Sequence, residues 1–165
     1  MSDITNEVAK EIPKEGFSGD EYNHVAKNSE LETIRLLSSK FIAEPDAGNG
    51  NDKLKLNYSR KIVACQYMRE DSAVVAIFQY HVDGKRARKK AFSLVAEYGV
   101  SYTVPNDATE AAALGFCRNV GKFAAYPYFR GLAAHVFAEA GLRVPPLPAI
   151  ASTAHIQKNA PAKVN

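Results

Sequence analysis

The chain has 165 residues, of which 46% are apolar and 24% charged, with a net charge of +3. That length can bury a real core without calling for a second domain. The first residues lack the basic-then-apolar layout of a secretory signal, and no apolar run approaches the roughly 20 residues that cross a bilayer, so a cytoplasmic protein without membrane insertion is expected.

The charge is unevenly spread. Residues 1–32 hold eight Asp or Glu against three Lys, a net of −5, which leaves +8 for the remainder. Residues 1–30 are polar and carry no sustained periodicity. They read as an acidic mobile arm ahead of a single domain at 31–150, with a loose tail at 151–165.

From Leu31 the pattern is that of strands. Glu32 to Ile42 mixes Ile34, Leu36, Leu37, Phe41 and Ile42 with polar residues and runs into Glu44 to Asp52, a loop by composition. Leu54 to Tyr67 is a second strand, with Leu54, Leu56 and Tyr58 alternating and a bulge expected near Ser59 to Lys61. Ala73 to Val82 is a third, closed by the turn residues Asp83 and Gly84. In the fourth, Phe92, Leu94, Ala96, Tyr98, Val100, Tyr102 and Val104 take every second position, the period of a strand with one apolar side. Val75, Ile77, Val63, Cys65 and Val95 fall opposite that set and leave the second face partly apolar. Strands three and four form a hairpin whose tip, Lys85 to Lys90, carries five cations in six residues. Such a tip can bind phosphate or an acidic partner, or can discourage edge-to-edge pairing.

After Pro105 and Asn106, Asp107 to Glu110 has the spacing of a capping box, and Ala113, Phe116, Cys117 and Val120 make the stripe of a short helix that stops at Gly121. A longer helix is expected from Pro127, whose fixed φ suits a first helical position, to Gly141. Its stripe is Phe129, Leu132, Ala133, Val136, Phe137 and Ala140. A stiff apolar strip, Leu142 to Pro148, follows. The sum is an α+β fold, a four-stranded antiparallel sheet with two C-terminal helices packed on one face.

Catalytic chemistry has no footing in the sequence. His24, His81, His135 and His155 are scattered, and Gly48-Asn49-Gly50 lacks the lysine and helix of a phosphate loop. Cys65 and Cys117 stand alone, without a CxxC or a neighbouring histidine pair, and read as two buried thiols. No enzyme, cofactor or metal is expected.

The run Leu114-Gly115-Phe116-Cys117-Arg118-Asn119-Val120, then Tyr126-Pro127-Tyr128-Phe129-Arg130, then Gly141-Leu142 and Pro145-Pro146-Leu147-Pro148, resembles the C-terminal half of SecB-type protein-export chaperones, and Phe92 to Tyr98 looks like that family's last strand. The resemblance implies a homotetramer, a dimer of dimers, acting as an ATP-independent holdase for unfolded polypeptide in apolar grooves. Carried over residue by residue, it offers Tyr126, Tyr128, Phe129, Leu142, Val144 and Leu147 as groove lining and Glu97 as a docking carboxylate for the SecA motor. The helix opening has Arg130-Gly131 where the family commonly has Arg-Glu, and the body is basic. A SecB-like chaperone serving a dedicated client such as an antitoxin is therefore a variant of the same reading. The alternative of another class is a nucleic-acid-binding module that combines the basic hairpin 85–90 with bases stacked on Tyr98 and Tyr102.

Overall fold

Alternating apolar residues decide which side of the sheet is covered. The computed structural model describes residues 16–47, 53–86 and 89–149. In it β1 (Glu30–Ala43), β2 (Leu54–Met68), β3 (Ala73–Arg86) and β4 (Lys89–Thr103) form one antiparallel sheet in the order β1-β4-β3-β2, with α1 (Gly19–Asn28) before it and α2 (Glu110–Glu139) after it. The expected α+β class and four-stranded sheet are what the chain adopts. Val74, Ala76, Phe78, Tyr80 and Val82 of β3 and Phe92, Leu94, Ala96, Tyr98, Val100 and Tyr102 of β4 are all buried beneath α2. Burial of a side chain such as Phe78 or Phe92, each 2% exposed, contributes roughly 1.5–3 kcal/mol.

The hairpin is longer than its turn residues imply. Asp83 and Gly84 lie inside β3, paired with Ser93 and Phe92, and the strands run on to Arg86 and Lys89. Gly84 is needed there for space, since the Phe92 ring occupies the place where a Cβ would sit. Asp83 is buried and holds Lys90 at 2.8 Å and His81 at 3.0 Å. The bulge in β2 falls between Ile62 and Ala64, just after its expected place. Cys65 faces α2 in register with Ala76 rather than the opposite side, because the bulge shifts the alternation by one residue.

The expected pair of C-terminal helices is a single helix of 30 residues. Gly121 does not end it and Pro127 does not begin it. Ala113, Cys117, Gly121, Ala125, Phe129, Ala133 and Phe137 form an unbroken ridge at four-residue spacing, all of it buried. Four residues overshoot a turn by about 40°, so the ridge winds and different partners meet it. Phe17 and Tyr22 cover Gly115 and Phe116, Phe78 fits against Gly121, Tyr80 stacks on Phe129 at 5.2 Å, and Phe92 meets Phe137 at 4.7 Å. Pro127 is exposed, so the helical hydrogen bond it cannot donate is lost on the solvent side. The first cap is also displaced: Thr109, not Asp107, accepts from the Ala112 amide, while Asp107 binds His24 at 2.9 Å. The other end is as expected. Gly141 adopts φ 65°, its amide bonds the Ala138 carbonyl, and the Leu142 amide bonds the Phe137 carbonyl at 2.8 Å.

Part of the segment read as an arm is ordered. Ser18 and Glu21 form a capping box that opens α1, and Phe17 stacks on Tyr22, which in turn packs on Phe116. The apolar residues Phe17, Tyr22 and Val25, spaced among charges, are what bind this helix to α2. Residues 1–15 and the tail 151–165 lie outside the described residues.

Candidate functional site: apolar troughs along the long helix

Two troughs flank the strip that follows α2. The first, of about 240 Å³, is lined by Tyr58, Ser59 and Arg60 of β2, Tyr80 and His81 of β3, Tyr126 and Phe129 of α2, and Pro148 and Ala149 of the strip. Its floor is aromatic: the Tyr80 ring lies 5.2 Å from Phe129 and 5.8 Å from Tyr126. Burial raises the Tyr80 hydroxyl pKa far above the ordinary 10, and that hydroxyl donates to the Lys122 carbonyl at 2.7 Å. Arg60 sits over the Phe123 ring at 5.8 Å and brings a guanidinium to this trough. Tyr58 remains 42% exposed at the rim. Beside it runs the outer edge of β2, which pairs with no other described strand.

The second trough, of about 420 Å³, lies between the strip and α2. Pro127, Arg130, Gly131, Ala134 and Ala138 form the helix side, Leu142, Val144, Pro145, Pro146 and Leu147 the strip side, and Phe137 the floor. Small residues on the helix keep it open. At the far end the strip is pinned, where the Tyr126 hydroxyl donates to the Pro148 carbonyl at 2.7 Å.

The candidate lining residues therefore divide. Tyr126 and Phe129 belong to the first trough, Leu142, Val144 and Leu147 to the second, and Tyr128, 55% exposed, to neither. Leu142 and Leu147 are buried, so they anchor the strip more than they face an open channel. Tyr58, Arg60 and Tyr80 were not singled out from sequence for this site. The alternation of Tyr58 and Arg60 placed them on one face of β2, but only the sheet order brings that face beside α2.

Glu97 lies on the uncovered face, where its carboxylate accepts from Gln79 at 2.7 Å and from Ser38 at 3.2 Å. It bridges three strands. On the same face Leu37 drapes over Gly99, and Val75, Ile77 and Val95 are half-buried. Nearby, Ser93 and Asp83 both contact the same imidazole nitrogen of His81, at 3.1 and 3.0 Å. A nucleophile–base–carboxylate relay needs the two nitrogens separately, so this cluster is not one.

The nucleic-acid alternative loses its platform. Tyr98 and Tyr102 are each 4% exposed beneath α2, where no base can stack. Burial pushes Tyr102 up to about 12. At the hairpin, Lys90 is paired with Asp83 and Arg86 donates to the Ala47 carbonyl at 3.0 Å, so part of the cationic tip is already engaged.

Among the described residues no helix is long and apolar enough to cross a membrane, and no group of three or more His, Cys, Asp or Glu is placed to hold a metal ion. No family model matches the sequence, and no curated protein matches it. Among solved structures the chain is similar to the SecB-like chaperone Rv1957 of Mycobacterium tuberculosis, in complex with a ChAD peptide from the Rv1956 HigA1 antitoxin. The TM-score is 0.67 at 19% identity, covering 80% of this chain and 97% of that one. A protein of unknown function from Streptococcus agalactiae overlaps at a TM-score of 0.31 and 11% identity, over 73% of this chain and 94% of that one, too loosely to argue from. At 19% identity the first likeness speaks for the fold alone, and the fold of this chain is SecB-like.

Proposed function

We propose that this protein is an ATP-independent chaperone that holds unfolded or nascent polypeptide in the troughs along α2. The observation that carries the reading is the first trough: an aromatic floor, an exposed Tyr58 at the rim and the unpaired edge of β2 beside it. An extended chain can seat apolar side chains in this trough against the exposed Tyr58 while its backbone bonds to the β2 edge, a mode that asks for little fixed sequence. Several weak sites on one assembly would then hold a client by avidity. That assembly is a cytoplasmic homotetramer, a dimer of dimers.

The client class is the finer part of the proposal. Rv1957, similar in fold, is bound to an antitoxin peptide, which supports a dedicated client of that kind over general export. Docking on the SecA motor through Glu97 would compete with the bonds from Gln79 and Ser38. The test is suppression of aggregation of a chemically denatured client without ATP, with the mass measured by light scattering. A tetramer that suppresses aggregation, with Tyr58→Ser weakening the effect at unchanged mass, is the expected result. A monomer without a holding effect contradicts the proposal.

A further inference from the structure

The chain around the troughs carries charge of one sign. β2 has Lys55, Arg60 and Lys61 and no Asp or Glu, α2 has Arg118, Lys122 and Arg130 and no acid between Glu110 and Glu139, and the strip adds Arg143 alone. Among the described residues no carboxylate forms an ion pair with any of these cations. Two of them crowd one ring, with Arg60 at 5.8 Å and Lys122 at 5.2 Å from the centre of Phe123. Burial, and then the neighbouring Arg60, lower the pKa of the Lys122 ammonium, as expected of cations gathered with no anion between them. The register sorts the β2 side chains. Tyr58 and Arg60 lie opposite Val82 and Tyr80, which are buried beneath α2, and so belong to the trough side. Ser59 and Lys61 lie opposite His81 and Gln79 on the open face of the sheet, and Lys55 shares that face. Lys55, Arg60 and Lys61 are all exposed.

We propose that the segment held on the β2 edge is an acidic extended polypeptide, with apolar side chains at alternate positions turned to the first trough and Asp or Glu at the positions between. The inference rests on the reading that a client joins that edge as an added strand. Such a strand repeats the alternation of its neighbour. Every second side chain falls on the trough side, against Tyr58, and those between fall on the open face beside Lys55 and Lys61. These two lysines are separated by about 20 Å of strand, so both are met by a segment of ordinary strand length. Opposite charges facing across paired strands favour the pairing and like charges oppose it. The same cations turn other occupants away. A second copy of the β2 edge would set three more cations against these three, and a basic segment would do likewise. Charge pattern, and not a fixed order of residues, is then the filter on what the trough accepts, and the positive field draws such segments in.

The experiment follows three fluorescently labelled peptides binding to the full-length protein by anisotropy. All three have the same Val, Leu and Phe residues at alternate positions and carry Glu, Ser or Lys between them. In low salt the Glu peptide is expected to bind roughly three- to thirtyfold tighter than the Ser peptide, and the Lys peptide to bind weakest. The gap should close toward roughly 1 M salt, where the screening length is about 3 Å. Arg60→Gln combined with Lys61→Gln should remove most of the preference, whereas Arg60→Lys combined with Lys61→Arg should keep it. Tyr58→Ser should weaken all three peptides by a similar factor. Equal binding of the three, or tightest binding of the Lys peptide, would overturn the inference and leave the trough reading standing, while no binding of any would end both. Displacement of the Glu peptide by an equal concentration of a single-stranded oligonucleotide would also overturn it, since the surface would then read negative charge without the apolar alternation.

Discussion

Replacing Gly121 by Ala sets two effects of similar size against each other. In an ordinary helix interior Ala is favoured over Gly by about 1 kcal/mol, because Gly loses more backbone entropy on folding. At this site a Cβ would lie 2.7 Å from Cε2 and 2.9 Å from Cζ of Phe78, a ring only 2% exposed and confined beneath α2. Overpacking a confined ring costs about 1–3 kcal/mol. Set against the propensity gain, the clash with a ring buried beneath α2 leaves a net loss of up to about 2 kcal/mol. In thermal denaturation followed by circular dichroism this is a fall in Tm of up to roughly 8 °C. Leucine at position 78 lacks the clashing ring atoms. In a Phe78→Leu background, therefore, Gly121→Ala should be neutral or stabilising by up to about 1 kcal/mol. A stabilised single variant would refute the reasoning, since it would mean that α2 does not approach β3 at Gly121.

Three further outcomes are expected. Tyr126→Phe removes the bond to the Pro148 carbonyl, worth about 0.5–1.5 kcal/mol, and should raise the rate of trypsin cleavage after Arg143 by roughly two- to tenfold; an unchanged rate would mean that this bond does not pin the strip. Tyr102 is held neutral in the fold up to about 12 against an ordinary value of 10. Its contribution to stability is therefore fully present below pH 10 and is lost as the pH rises from there to about 12; Tyr102→Phe should flatten this part of the Tm–pH curve, and an identical decline in the variant would assign it elsewhere. Tyr58→Ser alters a residue 42% exposed at the rim and should weaken client holding while leaving Tm within about 2 °C; full holding by the variant would move the site away from the first trough.

The strands were legible because their signal is local. The alternation from Phe92 to Tyr102 is a single period, and it places six residues beneath α2 as written. The unity of α2 was not legible from Gly121 and Pro127 taken as punctuation, since each residue has two meanings. Gly121 is small because Phe78, 43 positions earlier, comes to rest on it, and no local rule carries that information. The ridge from Ala113 to Phe137 at four-residue spacing was the signal that could have overruled the break. The same limit applies to α1, where Phe17, Tyr22 and Val25 are too few to show a period but find Gly115 and Phe116 waiting. Half of the first trough was foreseeable as the aromatic helix segment at Tyr126 and Phe129. The other half comes from β2, which reaches α2 only through the sheet order β1-β4-β3-β2.

The proposed seating of extended polypeptide along α2 and the β2 edge is open to site-specific photo-crosslinking. p-Benzoylphenylalanine is placed singly at Tyr58 in the first trough, at Ala134 in the second, and at Glu97 on the uncovered face of the sheet, and each protein is irradiated with a permanently unfolded client. Adducts at positions 58 and 134 that greatly exceed those at 97 are the expected result. Adducts concentrated at 97, or none at 58 and 134, would contradict the account.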